Sequence, residues 1–399
     1  MKQTIISVAP EVCCGCGTCG LVCPVGAIQM EPRELGCLYP VIDNSLCIHC
    51  GKCLQSCAAY HRRVADHTIL DSYAAANKNE KALTKSASGG VFAAIAEEFV
   101  NQGGVVFGCS LELVNGVLTP RHICIEDAAD IFKLQGSKYV QSDLGNTFAL
   151  VKKLLLQGRL VLFSGTPCQI DSLKRFVGVQ QTANLYTIDI ICHGVPSVAF
   201  FQEYLSTFRY PIVEFLFRDK TLGWGLMGKY TYMVGGRMKK RLFSPGVSSY
   251  YSFFLESESY RECCYSCQYA NCNRVGDITI GDFWGIEQEH PDQLKSNGGK
   301  FDPYGGISAV LVNTGKGKEL LDLFGKQLLL AKTVPEKIVK WNRQLRSASK
   351  HSEIRHLLIT QYQANGYPGV EKMFRRKLGV RWYVRKAKEF IRECRWLTK

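Results

Sequence analysis

Apolar residues along this chain fall into two recurring patterns. Short continuous apolar runs bounded by Gly, Pro or polar clusters predict strands at residues 72–77, 104–109, 160–163, 185–191 and 306–313. Helical spacing of Val91, Ala94, Ile95 and Phe99 predicts a helix that opens at Ser86-Ala87-Ser88-Gly89-Gly90 and stops at Gly103-Gly104. Asn115-Gly116 predicts a hairpin turn. The 160–163 run leads through Ser164-Gly165-Thr166-Pro167 into a helix over 167–176, with Gly178 just past its end. Thr166 suits the N-cap and Pro167 the first helical position. With the 185–191 run this makes a strand–helix–strand unit, parallel and right-handed. Further helices are predicted over 316–330 and 334–347. The chain therefore reads as α/β, or α+β overall, with a mixed sheet.

Two stretches stand outside this pattern. From about Arg375 the sequence reads as one amphipathic helix. Val380, Tyr383, Val384, Ala387, Ile391, Cys394 and Leu397 lie on one face, and Arg381, Arg385, Lys388, Arg392, Arg395 and Lys399 on the other. Trp382 and Trp396 add interfacial character, so the helix suits an anionic membrane surface. The competing readings are a helix docked on its own protein with a solvated basic face, and a landing site for an acidic redox partner. The other stretch is the N-terminus, organised by cysteine rather than by periodicity: Cys13-x-x-Cys16-x-x-Cys19-x-x-x-Cys23-Pro24, then Cys47-x-x-Cys50-x-x-Cys53-x-x-x-Cys57-Ala58.

That spacing lets three thiolates of one loop grip one iron–sulfur cubane while the fourth reaches the neighbouring cluster. One [4Fe-4S] cluster then takes Cys13, Cys16, Cys19 and Cys57, and the other Cys23, Cys47, Cys50 and Cys53. Zinc also accepts thiolates at Cys-x-x-Cys spacing, but it gains nothing from a third Cys two residues on and a fourth three beyond. Gly15-x-Gly17-x-x-Gly20 matches a dinucleotide fingerprint, yet no strand precedes it and cysteines interleave it. Residues 1–66 resemble a bacterial two-cluster ferredoxin. Ala58 replaces a second Pro, Cys14 is an extra thiol, and Cys37 sits in the connecting segment.

Nineteen cysteines in 399 residues, with no room for a leader before Cys13, point to reduced thiols in a cytoplasm. The net charge of +14 suggests nucleic acid until it is located. Residues 331–399 hold 18 Lys/Arg against 5 Asp/Glu, so the body is nearly neutral and the tail is basic. No nucleic-acid recognition motif accompanies that charge. The chain thus divides into a ferredoxin domain (1–66), a linker from His61-Arg62-Arg63 to about Asp71, two parts of an α/β region (72–155 and 156–330), and a basic helical tail (331–399), available to the inner face of a membrane.

In the α/β region Cys168 and Cys192 fall at the carboxyl ends of neighbouring strands, where ligand sites of open sheets form. Cys168 sits in the first turn of its helix, where the macrodipole favours a thiolate. Together with Cys264 and Cys267 of Cys263-Cys264-Tyr265-Ser266-Cys267 they are candidate ligands of a third [4Fe-4S] cluster. The competing reading makes Cys168 and Cys192 two small buried thiols. The Ser/Gly start at 86–90 suits an anion such as a flavin phosphate, or is a plain capped helix. Gly136-Ser137-Lys138-Tyr139 is a turn with one cation and one ring.

Several separated strings, in order, resemble the coenzyme F-420 hydrogenase/dehydrogenase beta-subunit family from about Ser72 to about Leu330. They are Ser88-Gly89-Gly90-Val91, Gly136-Ser137-Lys138-Tyr139-Val140-Gln141, Gly165-Thr166-Pro167-Cys168-Gln169, Cys192-His193-Gly194-Val195-Pro196-Ser197 and the run from Gly276 through Asp277-Ile278-Thr279-Ile280-Gly281-Asp282-Phe283-Trp284 to Gly285. The resemblance implies a flavin, FAD rather than FMN, and a [4Fe-4S] cluster on Cys168, Cys192, Cys264 and Cys267, with Cys263 an alternative to Cys264. It implies flavin contacts at Ser88, Gly89, Gly90, Ser137, Lys138 and Thr166. Lys138 or His193 would supply a proton or stabilise a reduced flavin anion, unless His193 is structural. The expected activity is electron transfer between ferredoxin-type centres and a small acceptor, deazaflavin or other, with a ferredoxin or a hydrogenase or dehydrogenase component as partner. The alternatives are a non-catalytic electron-transfer component of a larger complex, and a ferredoxin fused to a zinc-binding scaffold.

Overall fold

In the computed structural model of the chain, residues 3–61 and 69–397 are described; most of the expected linker, and Lys399 of the expected basic face, lie outside them. The N-terminal module is held by a hairpin, β1 (Ile28–Pro32) with β2 (Leu38–Ile42). Two one-turn helices, Thr18–Leu21 and Lys52–Gln55, each follow a left-handed glycine, Gly17 (φ 74°) and Gly51 (φ 75°). Those glycines let each cysteine loop fold back without a Cβ penalty. The small core is made of Ile5, Ile42, Cys19 and Cys53.

The body is built on an eight-stranded mixed sheet. Its first five strands are β3 (Asp71–Asn77), β4 (Val105–Val114), β5 (Val117–Ile125), β6 (Val161–Gly165) and β7 (Leu185–Ile190). Next in the chain, β8 (Ile212–Leu216), β9 (Gly228–Val234) and β10 (Arg237–Phe243) form a separate antiparallel sheet, and β11 (Ile278–Asp282), β12 (Ser308–Val312) and β13 (Leu328–Thr333) then return to the large one. The spatial order is β13-β3-β12-β11-β7-β6-β4-β5. Strands β4, β6, β7 and β11 are parallel to one another, and the outer pairs are antiparallel.

Helices cover both faces, as a sheet with two apolar faces requires. Val91–Asn101 and Gly315–Phe324 bury Ile95, Phe99 and Phe324 on one side, while Thr147–Leu156 and Pro167–Val177 bury Phe148 and Ile170 on the other. A third core is aromatic. Phe200, Phe201, Phe217, Tyr250 and Tyr251 of the small sheet and its helices pack with Tyr367 and Phe374.

Three sequence expectations change here. The apolar run after residue 325 is strand β13, paired with β3, and not the end of the 316–330 helix. A short Leu-rich run fits either period, and pairing against Ala74–Ala76 decides it. The 334–347 segment is a helix only over Pro335–Trp341, then a tight turn at Arg343–Leu345. Finally, the amphipathic helix is preceded by Glu353–Leu378, kinked at Gly366 (φ 60°) before Pro368, whose Leu358, Val370 and Phe374 enter the aromatic core.

Candidate redox site

The two cysteine loops of the N-terminal module face each other. Cys23 lines one cavity, about 320 Å³, with Cys47, Cys50 and Cys53, so the fourth thiol of the first loop joins three of the second. Conversely, burial and the neighbouring Cys16, Cys13 and Cys57 all push the Cys19 thiol up, and Cys57, raised by burial to about 11, feels Cys16 and Cys13. Buried thiols that oppose one another's ionisation make a poor set of free acids. They make a good donor set for an iron–sulfur cluster, which demands four thiolates and supplies the cations.

The module is bound tightly to the body. Ser266 Oγ donates to Glu11 O (3.0 Å), Gln268 Nε2 to Ala58 O (3.3 Å), Arg175 to His61 O (2.7 Å) and Gln141 Nε2 to Cys14 O (3.0 Å). Arg261, fully buried, donates from Nε to Cys13 O at 2.7 Å and lies 4.2 Å over the Tyr39 ring.

Behind that contact lies a cavity of about 840 Å³ lined by six cysteines: Cys14, Cys168, Cys192, Cys263, Cys264 and Cys267. Cys168 and Cys192 arrive from the ends of β6 and β7, as the strand–helix–strand unit dictates. The helix carrying Cys168 opens with a capping box, in which Thr166 N donates to Gln169 Oε1 (3.0 Å) and Thr166 Oγ1 is 3.1 Å from Cys168 Sγ. Burial first, then Cys264 and Cys267, push the Cys192 thiol far up. The neighbouring Cys264 and burial push the Cys263 thiol well up, while Cys263 beside it holds the Cys264 thiol down. Cys272 is not in the cavity, and its thiol turns to Leu345 O at 3.3 Å. Among the described residues no three His, Cys, Asp or Glu side chains converge on a single ion; the thiols ring a space instead.

A larger cavity, about 1590 Å³ including its mouth, opens at the same sheet edge. Ser88, Gly90, Ser137, Lys138 and Thr166 line it; Gly89 does not. The Gly89 N–H donates to Ser308 Oγ (2.9 Å), and a Cβ there would stand 2.2 Å from Ala75 O. Gly89 therefore serves close packing of the loop on β3 and β12 rather than contact with a cofactor. Gly90, left-handed at φ 74°, opens the Val91–Asn101 helix toward the cavity. Lys138 Nζ donates to Gln135 O (2.7 Å), and burial pushes its pKa down to about 8.

The two cavities share a wall made of Cys14, Thr166, Cys168, Cys192 and His193. Gln344 Nε2 donates to His193 Nδ1 (2.8 Å), which leaves the ring proton on Nε2, and burial lowers the pKa of His193. His122, which the sequence does not single out, also lines the larger cavity. It is locked between Ser142 Oγ (2.8 Å) and Ser164 O (3.0 Å), stacked on Phe163, and held neutral by burial with a pKa near 4. Trp284 caps another side, stacked on Trp224 at 5.0 Å. Asp282 accepts from Trp224 Nε1 (2.9 Å) and from buried Arg218 (2.9 Å).

Residues 158–337 match the family model for the C terminus of the coenzyme F420 hydrogenase/dehydrogenase beta subunit. Over these residues the chain is similar to that family. Two curated relatives are a coenzyme F420-dependent sulfite reductase of Methanocaldococcus jannaschii, 27% identical over 164 residues, and a component of the F(420)H(2) dehydrogenase of Methanosarcina mazei, 23% identical over 172 residues. Each match covers 41% of this chain, but only 25% and 48% of those proteins' own lengths. An uncharacterized ferredoxin of Methanocaldococcus jannaschii is 39% identical over 56 residues, 14% of this chain and 34% of that protein. Among solved structures, a chain of the F420-reducing [NiFe] hydrogenase complex from Methanosarcina barkeri overlaps 76% of this chain and 96% of its own, at 12% identity and a TM-score of 0.46.

Proposed function

We propose that the chain is an iron–sulfur flavoprotein oxidoreductase that passes electrons between ferredoxin-type [4Fe-4S] centres and a flavin acting on a small two-electron substrate. The observation that carries this reading is the shared wall: six cysteines ring one cavity, and Thr166, Cys168, Cys192 and His193 divide it from a larger one. Clusters move single electrons, whereas a flavin, when bound, exchanges electrons singly or in pairs. A converter needs the two groups side by side, and this fold offers adjacent spaces with the matching donors.

The larger cavity fits a flavin in three respects. Gly90 and the following helix start present backbone N–H groups for a phosphate. Lys138, with its pKa near 8, carries its charge at neutral pH beside the turn Gly136–Tyr139 and would hold an electron-rich ring or phosphate. Trp284 closes one apolar side, which excludes water. His193, proton on Nε2, would face the substrate as donor, with Gln344 fixing its tautomer. Cys168, Cys192, Cys267 and one of Cys263 and Cys264 would hold the third cluster. The domain division at residues 66, 155 and 330 belongs to this proposal, with β13 extending the catalytic body to Thr333.

The names of the relatives favour F420 chemistry, but no residue string here selects deazaflavin, so the substrate class is a small hydride acceptor or donor. A ferredoxin or a dehydrogenase component is the proposed partner. The alternative, an electron-transfer component without its own reaction, is separated by one assay. The purified chain, supplied anaerobically with reduced ferredoxin or dithionite, turns over a two-electron acceptor by itself if it is the enzyme. Turnover that appears only with an added dehydrogenase component would establish the alternative.

The C-terminal helix Val380–Leu397 is proposed as the part that meets an anionic surface. Val380 and Tyr383 are 78% and 70% exposed, Val384 and Ile391 are exposed too, and Arg381, Lys386 and Lys388 flank them. The side chains expected on its faces at Arg392, Cys394, Arg395, Trp396 and Leu397 lie outside the described residues. The exposed strand β10, with Arg237, Lys239 and Lys240, runs beside the helix and widens the basic surface.

A further inference from the structure

The two cluster sites of the N-terminal module differ in their surroundings. The lining of the Cys23, Cys47, Cys50 and Cys53 cavity contains no Lys or Arg among the described residues. At the other site a guanidinium, fully buried, sits on the loop itself. Arg261 donates from Nε to Cys13 O (2.7 Å), from Nη2 to Leu38 O and, at 3.8 Å, toward Cys13 Sγ, and from Nη1 to Gln141 Oε1 (3.4 Å). The loop is shaped for it: Gly15 has φ +65°, and a Cβ there would be 2.6 Å from the guanidinium carbon.

A buried arginine is stable only when paired with negative charge. No carboxylate oxygen within ion-pair distance of Arg261 is found among the described residues; its partners are carbonyls, an amide, the Tyr39 ring and, at 3.8 Å, the Cys13 thiol. The charge that balances Arg261 is therefore on the thiolate side of Cys13. A [4Fe-4S] cluster on four thiolates is a net anion, and it gains one more negative charge on reduction. A fixed cation a few ångströms away in a medium of low dielectric constant favours the more negative, reduced state.

We propose that Arg261 is a positioning residue that raises the reduction potential of the cluster on Cys13, Cys16, Cys19 and Cys57 above that of the cluster on Cys23, Cys47, Cys50 and Cys53. The inference rests on the ferredoxin part of the proposed function and adds a direction to it. An electron donated by an external one-electron reductant to the outer cluster passes to the inner one, oxidising the first and reducing the second, with no bond or proton exchanged. The inner site is also the one that faces the body. Cys14, between Cys13 and Cys16 of the inner set, lines the six-cysteine cavity together with Cys168, and Arg261 itself lines it too. Arg261 thus holds the inner loop against the third site and places the electron there.

The test is an EPR-monitored redox titration of the full-length protein prepared anaerobically, wild type against Arg261→Gln and Arg261→Lys, with iron and sulfide measured on each. The expected result for Arg261→Gln is that the reduced fraction of one module cluster, poised at its wild-type midpoint, drops at least tenfold in reduced-to-oxidised ratio, about 59 mV for one electron. The other module cluster serves as internal control and stays within twofold, and Arg261→Lys recovers most of the shift. Equal shifts of both clusters, or none with both signals intact, would overturn the proposal. Should Arg261→Gln not assemble, ligand variants that assign the two wild-type signals decide. Cys19→Ser must alter the signal of higher potential and Cys53→Ser that of lower potential, and the reverse assignment overturns the inference. A preparation with no iron bound to these loops removes the ferredoxin reading itself, a failure distinct from equal potentials.

Discussion

The N-terminal module and the body build cysteine-lined cavities by opposite means. In the module each cysteine set is drawn from two loops close in the chain, each shaped by its own glycines, with a core of only a few apolar side chains. In the body the six cysteines come from the ferredoxin loop, the ends of β6 and β7, and the segment after the aromatic core, and only the folded sheet brings them together. A local site survives damage to the domain around it, provided its ligands remain. An assembled site is as stable as the fold that assembles it, and can sit against a second cavity that no local loop could position.

The largest effect should come from the assembled thiols. Cys168→Ser combined with Cys192→Ser is expected to lose the third cluster, about four iron per chain, and all turnover, while the module keeps about eight. Iron and sulfide analysis checks this, and undiminished iron would make these two residues ordinary buried thiols. Next is Gly89→Ala. A Cβ 2.2 Å from Ala75 O and 2.6 Å from Ser308 N overpacks the sheet edge, destabilising the body by about 1–3 kcal/mol. Calorimetry should show the loss, with the module's EPR signals unchanged; a change in those signals would dissolve the contrast between local and assembled sites.

A smaller effect is expected of Lys138. Its pKa, lowered by burial to about 8, means that it holds its proton at pH 7 and gives it up between about pH 7 and 9. If its charge stabilises reduced flavin, turnover falls across that window in the wild type, and Lys138→Arg, charged throughout, should flatten the fall. A pH profile identical in both proteins would remove Lys138 from the reaction. The smallest effect on turnover should come from cutting the chain after Leu378, which leaves Tyr367, Val370 and Phe374 packed in the aromatic core. Flotation with anionic vesicles should weaken by about tenfold or more, because each basic residue near such a surface contributes about 1 kcal/mol. Equal flotation with and without the helix would leave it no role at a membrane.

The same contrast explains what could be read from sequence. The module's cysteines are close in the chain, so spacing alone suggests which thiols meet. The strand–helix–strand unit carrying Cys168 and Cys192 was legible because Thr166, Pro167 and Gly178 mark its ends. Strands β8 to β10 and the aromatic core were not, since the scattered Phe and Tyr of 200–254 carry no local period that separates strand from buried helix. Gly89 looked like part of a phosphate loop, and only the distance to Ala75 shows why the residue must be small. Arg261 and His122 gave no motif at all. Proximity to Cys263 was the one available hint for Arg261, and the burial of His122 between Ser142 and Ser164 is purely tertiary.

The central claim, clusters and flavin in adjoining cavities of one chain, is tested most directly by assaying an anaerobic preparation for iron, acid-labile sulfide and released flavin. The account predicts about twelve iron, about twelve sulfide and one flavin per chain. About eight iron without flavin, or zinc in place of iron in the six-cysteine cavity, would contradict it and leave a ferredoxin attached to a body of other purpose.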